Sequence, residues 1–316
     1  KSVGKISEGD LLASVKGENS SKELYNLSSG ISIMKDNIRE KINYIQEINS
    51  SYERFVPKEF LNFLEKDSIM DVSIGDNTSL RMSVLFSDMR DFTSLSENMS
   101  PQENFEFLNH YLDSMTPAIN KNNGFIDKYV GDAVMALFPT SAEDSVAAAV
   151  EMNRALKRFN SGTAKGDNVN MGIGIHIGQL VLGTIGRETR METTVISDTV
   201  NASARLESLN KNYGTNVLIS GAVKVELLPS TQKFCRLIDR TQVKGKVEFI
   251  DVYEVFLVDD ESTADMKADS KANLELVVNK FFDGDVKSAK KEFSVLEKIA
   301  EQDPVIAFWK ERLGQI

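Results

Sequence analysis

A single cysteine, Cys235, in a chain of 316 residues excludes an internal disulfide framework and a cysteine-rich zinc site. It suits a reducing compartment. Histidine is almost as scarce: His110 and His176 stand in apolar surroundings without metal-ligand spacing, and both read as structural. No Ser-His or Cys-His arrangement for a covalent nucleophile is evident. Positive charge is short, with 37 Lys and Arg against 47 Asp and Glu, which makes the formal net charge −10. That balance argues against a nucleic-acid-binding protein, which needs a basic face. An anionic substrate would need local positive charge, from metals or from a few placed Lys and Arg. No apolar run approaches the ~18 residues of a membrane span, and no signal peptide is visible, so the chain reads as soluble. What is present is ordinary for a globular protein: 41% hydrophobic residues, enough for a sizeable core, over a length that suggests about two domains.

The chain is organised around Arg81 to Phe138, where two apolar strand patterns each deliver an aspartate to a turn. Met82 to Phe86 is a short β-like run leading to Asp88. Ser100-Pro101-Gln102-Glu103 is a helix-capping start, followed by a helical face at Phe105, Leu108, Tyr111, Leu112 and Met115. Asn122-Asn123-Gly124 is turn chemistry, and the halves around Val130-Gly131-Asp132 predict a hairpin. A second helix is expected over Ala142 to Phe159. Then come a long strand from Met171 to Leu182, whose Gly172, Gly174 and Gly178 permit close packing, a third helix from Asp198 to Tyr213, and a strand at Val217 to Ser220. A closing hairpin spans Cys235 to Val243 and Phe249 to Phe256. The order β-α-β-β-α-β with extra strands predicts an α+β, ferredoxin-like layer.

Asp88 and Asp132 lie 44 positions apart (132 − 88). Hard oxygen ligands without Cys or His nearby suit Mg²⁺ or Mn²⁺ rather than zinc, and a pair of such ions can polarise an attacking oxygen and steady a leaving phosphate. Asn201 and Arg205 are spaced i, i+4 and share a helix face. Trp309 in the tail reads as core.

Phe86-Ser87-Asp88-Met89-Arg90-Asp91-Phe92-Thr93 and Lys128-Tyr129-Val130-Gly131-Asp132 resemble the metal-site motifs of class III nucleotidyl cyclases, over about Arg81 to Phe256. The resemblance implies the same βαββαβ fold and two catalytic domains meeting head to tail with active sites between them. It implies two divalent cations held by Asp88, Asp132 and the backbone carbonyl of Met89. Lys128 matches the position at which adenylate cyclases hold the N1 face of adenine, where guanylate cyclases usually carry Glu. Thr194 matches the partner that accepts from the adenine amino group, where many relatives have Asp. Asn201 is implied to orient the ribose and Arg205 to stabilise charge on the α-phosphate. Lys244, with Lys246 as the less favoured candidate, is implied to hold the β,γ-phosphates. Ser197 and Asp91 depart from the family, which usually has Gly at both places. ATP is the implied substrate, at the interface of a homodimer. The alternatives are a guanylate cyclase and a non-catalytic nucleotide-binding or dimerising signalling module. A helical signalling relay is a third view. The Gly-Gly-Asp/Glu-Glu-Phe turn of diguanylate cyclases is absent.

Outside that core, residues 1–43 read as a partial signalling segment. Gly9-Asp10-Leu11, Lys22-Glu23-Leu24 and an apolar series at Leu27, Ile31, Met34, Ile38 and Ile42 resemble the second half of a HAMP module. The first HAMP helix is mostly missing, so the chain is expected to be a piece of a longer protein. An upstream sensor or transmembrane region would then make this the cytoplasmic domain of a membrane-anchored protein. Residues 44–79 read as a helical linker carrying the seam through Ile45, Ile48, Tyr52 and Phe55 to Pro57, and 80–258 as the catalytic domain. Within 259–316, an acidic linker from Asp259 to Ser270 is expected to precede a hairpin of two helices. That hairpin resembles a single tetratricopeptide-like unit, which must pack on the main domain or on a second subunit to bury its apolar faces.

Overall fold

The apolar run at Met82 becomes the middle of a longer strand, β1 (Asn77–Arg90), because its partner runs equally far. That partner, β4 (Asn170–Arg187), pairs antiparallel with β1 from Asn77↔Gly183 to Arg90↔Asn170. This computed structural model describes residues 22–162, 168–242 and 249–315. On the other side of β1 lies the hairpin of β2 (Phe125–Val130) and β3 (Ala133–Phe138). With β5 (Arg190–Ile196), β6 (Val217–Ser220), β7 (Cys235–Gln242) and β8 (Phe249–Val255), the sheet runs β2-β3-β1-β4-β6-β8-β7, and β5 pairs with β4 off this path. The βαββαβ order is completed by α2 (Pro101–Lys121) and α3 (Ala142–Gly162). The capping start of α2 forms as read: the Ser100 hydroxyl accepts from the Glu103 N–H, and the Glu103 carboxylate accepts from the Ser100 N–H at 2.8 Å.

Two cores flank the sheet. On one face Leu85, Met89, Ile173 and Ile175 pack with Tyr111, Met115, Met152 and Phe159 of the helices. On the other, Leu206 and Leu209 of α4 (Asp198–Tyr213) join Leu237, Ile238 and Val252.

The second core also holds the C-terminal helices, which settles one expectation: they pack on this domain. It corrects two others. The acidic stretch from Asp259 is no linker, since α5 (Glu261–Phe282) starts at once, with the Asp260 carboxylate accepting from the Thr263 N–H at 2.9 Å. Its acids Glu261, Asp265 and Asp269 lie on the exposed side, while Lys267, Ser270 and Leu274 form the buried stripe. And three helices follow Val258 rather than two: α5, α6 (Val286–Ile299) and α7 (Pro304–Gly314). Trp309 of α7 is buried, as expected, with its indole N–H donating to the Ile238 carbonyl at 2.8 Å.

Lys267 is buried because it belongs to an ionic lock between the helices and the sheet. Its ammonium lies 2.6 Å from both Glu254 and Asp259, Glu254 accepts from the Arg236 Nε at 2.7 Å, and Arg236 also pairs with Asp303. Arg236 and Asp303 are wholly buried. Removing one partner strands the other's charge away from water, so Asp303→Ala is expected to destabilise the fold by about 3 kcal/mol. Chemical denaturation checks this, and a loss below about 1 kcal/mol would mean that the pair is solvated in solution.

Two compact units divide the chain, Lys1–Lys58 and Glu59–Ile316. In the first, α1 (Lys22–Tyr52) is one unbroken helix across residue 43, with Leu27, Met34, Ile38, Ile42 and Ile45 of the expected seam exposed along it. Gly9-Asp10-Leu11 of the HAMP-like pattern lies outside the described residues. No helix among the described residues is long and apolar enough to cross a membrane.

Candidate active site

Asp88 stands near the end of β1, and Asp132 in the tight turn between β2 and β3, where Gly131 takes a positive φ of 66°. Because β3 pairs with β1, the turn folds back beside Asp88, and the Met89 N–H donates to the Asp132 carboxylate at 3.2 Å. The structure thus brings Asp88, Met89 and Asp132 together. Burial, and then the charge of Asp132 beside it, push the Asp88 carboxyl up to about 6. Two acids held this close, in a half-buried niche, leave an excess of negative charge that a cation would neutralise. The donor set of two carboxylates and a peptide carbonyl is hard oxygen, and it fits Mg²⁺ or Mn²⁺. Among the described residues no group of three His, Cys, Asp or Glu forms a fuller cage.

Lys128 sits on β2 and Thr194 on β5, 66 positions apart, yet the Lys128 ammonium donates to the Thr194 hydroxyl at 3.5 Å. The same ammonium is 3.5 Å from Asp127 and 4.0 Å from Glu192. Asn201 and Arg205 project from the exposed face of α4, one turn apart. Lys244 and Lys246 lie outside the described residues.

Both departures from the family pattern have a local explanation. Asp91 adopts a left-handed φ of 57°, a conformation in which Gly is free of strain and Asp is among the better-tolerated alternatives. Ser197 is extended, so nothing there demands glycine. It caps α4 instead, accepting from the Thr199 N–H at 2.9 Å and donating to the Gln179 carbonyl at 2.5 Å.

Glu207 and Arg90 also stand at the site, although the sequence reading gave neither a role. Glu207 of α4 lies over Gly172, the strand partner of Asp88: a Cβ at Gly172 would come within 2.7 Å of the Glu207 carboxylate. Burial and the neighbouring Asp88 raise the Glu207 carboxyl to about 7. Arg90, which donates to the Thr215 carbonyl, is the cation whose charge opposes that rise. The glycine spacing on β4 was the available signal. At Gly174 a Cβ would meet the Glu207 backbone nitrogen at 2.1 Å, so glycine lets α4 lie directly on the strand that backs Asp88.

Residues 76–258, more than half of the chain, match the family model for the adenylate and guanylate cyclase catalytic domain. Over 262 residues the chain is 40% identical to an adenylate cyclase of Anabaena cylindrica, an alignment covering 80% of this chain and 52% of that protein. The chain therefore spans about half the length of that relative. Among solved structures it is similar to a bacterial light-regulated adenylyl cyclase, with a TM-score of 0.61 and 22% identity over 75% of this chain and 66% of that one, a likeness of fold alone. It is also similar to the guanylyl cyclase Cya2, with a TM-score of 0.50 and 31% identity over 58% of this chain and 96% of that one.

Proposed function

The chain belongs to the adenylate and guanylate cyclase catalytic-domain family, and on that premise we propose that it is an adenylate cyclase, converting ATP to 3′,5′-cyclic AMP and pyrophosphate. The observation that carries the choice of ATP is the meeting of the Lys128 ammonium with the Thr194 hydroxyl at 3.5 Å. An N–H donor beside a hydroxyl acceptor is complementary to the edge of adenine, which offers an acceptor ring nitrogen and a donor amino group. A site built to hydrogen-bond one base edge rejects a mismatched edge strongly, because its polar groups are left unpaired.

In the reaction, the ribose 3′-oxygen attacks the α-phosphorus and the bond from that phosphorus to the bridging oxygen of pyrophosphate breaks. Class III cyclases generally use divalent metals, and two such cations held by Asp88, Asp132 and the Met89 carbonyl would supply Lewis-acid charge to the reacting oxygens. Arg205, whose planar guanidinium presents a fork of N–H donors, stabilises the negative charge that gathers on the α-phosphate. Asn201, one turn away on the same face, orients the ribose. Lys244, or Lys246, holds the terminal phosphates. A homodimer completes the site. The exposed apolar residues Tyr129 and Val130 on the β2 strand, and Val181, Ile185, Met191 and Ile196 on the β4–β5 ribbon, are the kind of surface a second subunit covers. Upstream sequence in the full-length protein would carry the sensor.

Incubating the purified protein with ATP or GTP and Mn²⁺, and identifying the products, tests this. We expect cyclic AMP, with kcat/KM for ATP exceeding that for GTP by roughly 10²-fold or more. A preference for GTP would make the protein a guanylate cyclase, and no turnover of either would make it a binding module.

A further inference from the structure

We infer that Asp127 is a positioning residue for Lys128, holding its ammonium in the orientation that reads the nucleotide base. The inference rests on the proposal that Lys128 contacts that base.

Neighbouring residues on a strand point to opposite faces, so an acid next to a lysine cannot ordinarily pair with it across one side. Here the strand breaks that rule. Between Ile126 and Lys128 the pairing of β2 with β3 shifts: Ile126 pairs with Ala136, Lys128 pairs with Met135, and Asp127 is the extra residue. Such a bulge re-aims side chains. It brings the Asp127 carboxylate within 3.5 Å of the Lys128 ammonium.

Asp127 bears a cost for being there. Its side chain is only 3% accessible, and among the described residues its Oδ2 has no closer polar partner than the Lys128 ammonium at 3.5 Å. Burying a carboxylate is unfavourable by several kcal/mol unless a counter-charge is close. Accordingly, burial raises its carboxyl above the usual range, and Lys128 is the group that opposes the rise. An apolar residue at this position would avoid the burial cost. What the acid provides is a fixed anchor for a flexible side chain. Lysine has four rotatable bonds and loses rotamer freedom when it is held in one place. With Asp127 on the inner side and the Thr194 hydroxyl 3.5 Å away, much of that ordering precedes nucleotide binding. The opposite arm, Glu192, is two-thirds exposed and 4.0 Å away, so the buried acid is the stronger hold.

Asp127→Asn keeps the size of the side chain and removes its charge. We expect KM for ATP to rise about tenfold with a smaller change in kcat, and the ATP-over-GTP ratio of kcat/KM to fall at least tenfold. Melting temperature and dimerisation should hold or improve, because a buried charge has gone. Asp127→Glu should recover part of the ratio. Lys128→Met is the reference: combined with Asp127→Asn, the double variant should discriminate no worse than Lys128→Met alone, since one acts through the other. If Lys128→Met lowers the ratio and Asp127→Asn leaves it intact, or if the two effects add in full, the role of Asp127 is refuted while that of Lys128 stands. If Lys128→Met itself leaves the ratio intact, both fall together.

Discussion

Asp88→Asn is expected to lower cyclase turnover by about 10³-fold while making the metal-free protein more resistant to heat. The two effects share one cause. Asp88 and Asp132 are held beside one another in a half-buried niche, with the Met89 N–H donating to the Asp132 carboxylate across their segments. Without a cation their charges repel, and the neutral amide of asparagine abolishes that pairwise repulsion at constant size. With a cation, the same charges would be its ligands. Losing a carboxylate ligand forfeits several kcal/mol of charge stabilisation at the reacting oxygens, and about 4 kcal/mol corresponds to roughly a thousandfold in rate. The melting temperature of the unsubstituted protein should rise when Mn²⁺ is added, by mass action on the folded state, and that rise should shrink in the variant. The sign of the pH response follows as well. Asp88 and Glu207 bind protons more tightly folded than unfolded, being raised to about 6 and about 7. The metal-free protein should therefore lose stability as pH climbs from the ordinary carboxylate range towards about 7, and flatten beyond it. Turnover within tenfold of the unsubstituted protein would remove Asp88 from the metal site.

The parts legible in the sequence were those whose signal is local. The β1 run, the capping box at Ser100, the Gly131 turn and the helix after Ser197 each announce themselves within a few residues. The parts that stayed hidden depend on what lies across the fold. Strand β5 contains Glu192, Thr193 and Thr194, shows no apolar alternation, and among the described strands pairs with β4 alone. The start of α5 looks like a linker because its buried stripe includes Lys267, which the ions of Glu254 and Asp259 make tolerable inside, and Ser270, whose hydroxyl donates to the Lys267 carbonyl. Helix α7 did carry a readable start, an Asp303 cap followed by Pro304, which the short intervening turn obscured. Asp127 and Glu207 are invisible for a further reason. A bulge is a property of two strands in register, and the approach of Glu207 to Asp88 passes through Gly172 on a third element. The site motifs, by contrast, could be located because each is contiguous, although only the folded hairpin puts Asp132 beside Asp88.

Mixing two inactive proteins should restore activity if the site is shared between subunits, and this is the second large effect. Arg205→Ala removes the guanidinium proposed to meet the α-phosphate, and a loss of about 10²–10³-fold is expected from the deletion of one preorganised donor. Asp88→Ala removes a proposed metal ligand, and a loss at least as large is expected. In a head-to-tail C2 dimer each of the two sites takes its aspartates from one subunit and its Asn201 and Arg205 from the other. A mixed dimer of the two variants then has one site lacking both groups and one site lacking neither. With random exchange, half of the dimers are mixed and each carries one intact site, so specific activity should recover to about a quarter of the unsubstituted value. The exposure of Arg205 and Asn201 on α4 is consistent with groups that wait for a substrate held by another chain. The apolar residues on the β4–β5 ribbon supply a surface for that meeting. A mixture no more active than its components, under conditions where labelled subunits are shown to exchange, would place both groups in one subunit's site and overturn the shared arrangement. The result separates dimerisation that builds the site from dimerisation that merely accompanies it, because only the former lets two broken proteins make one working one.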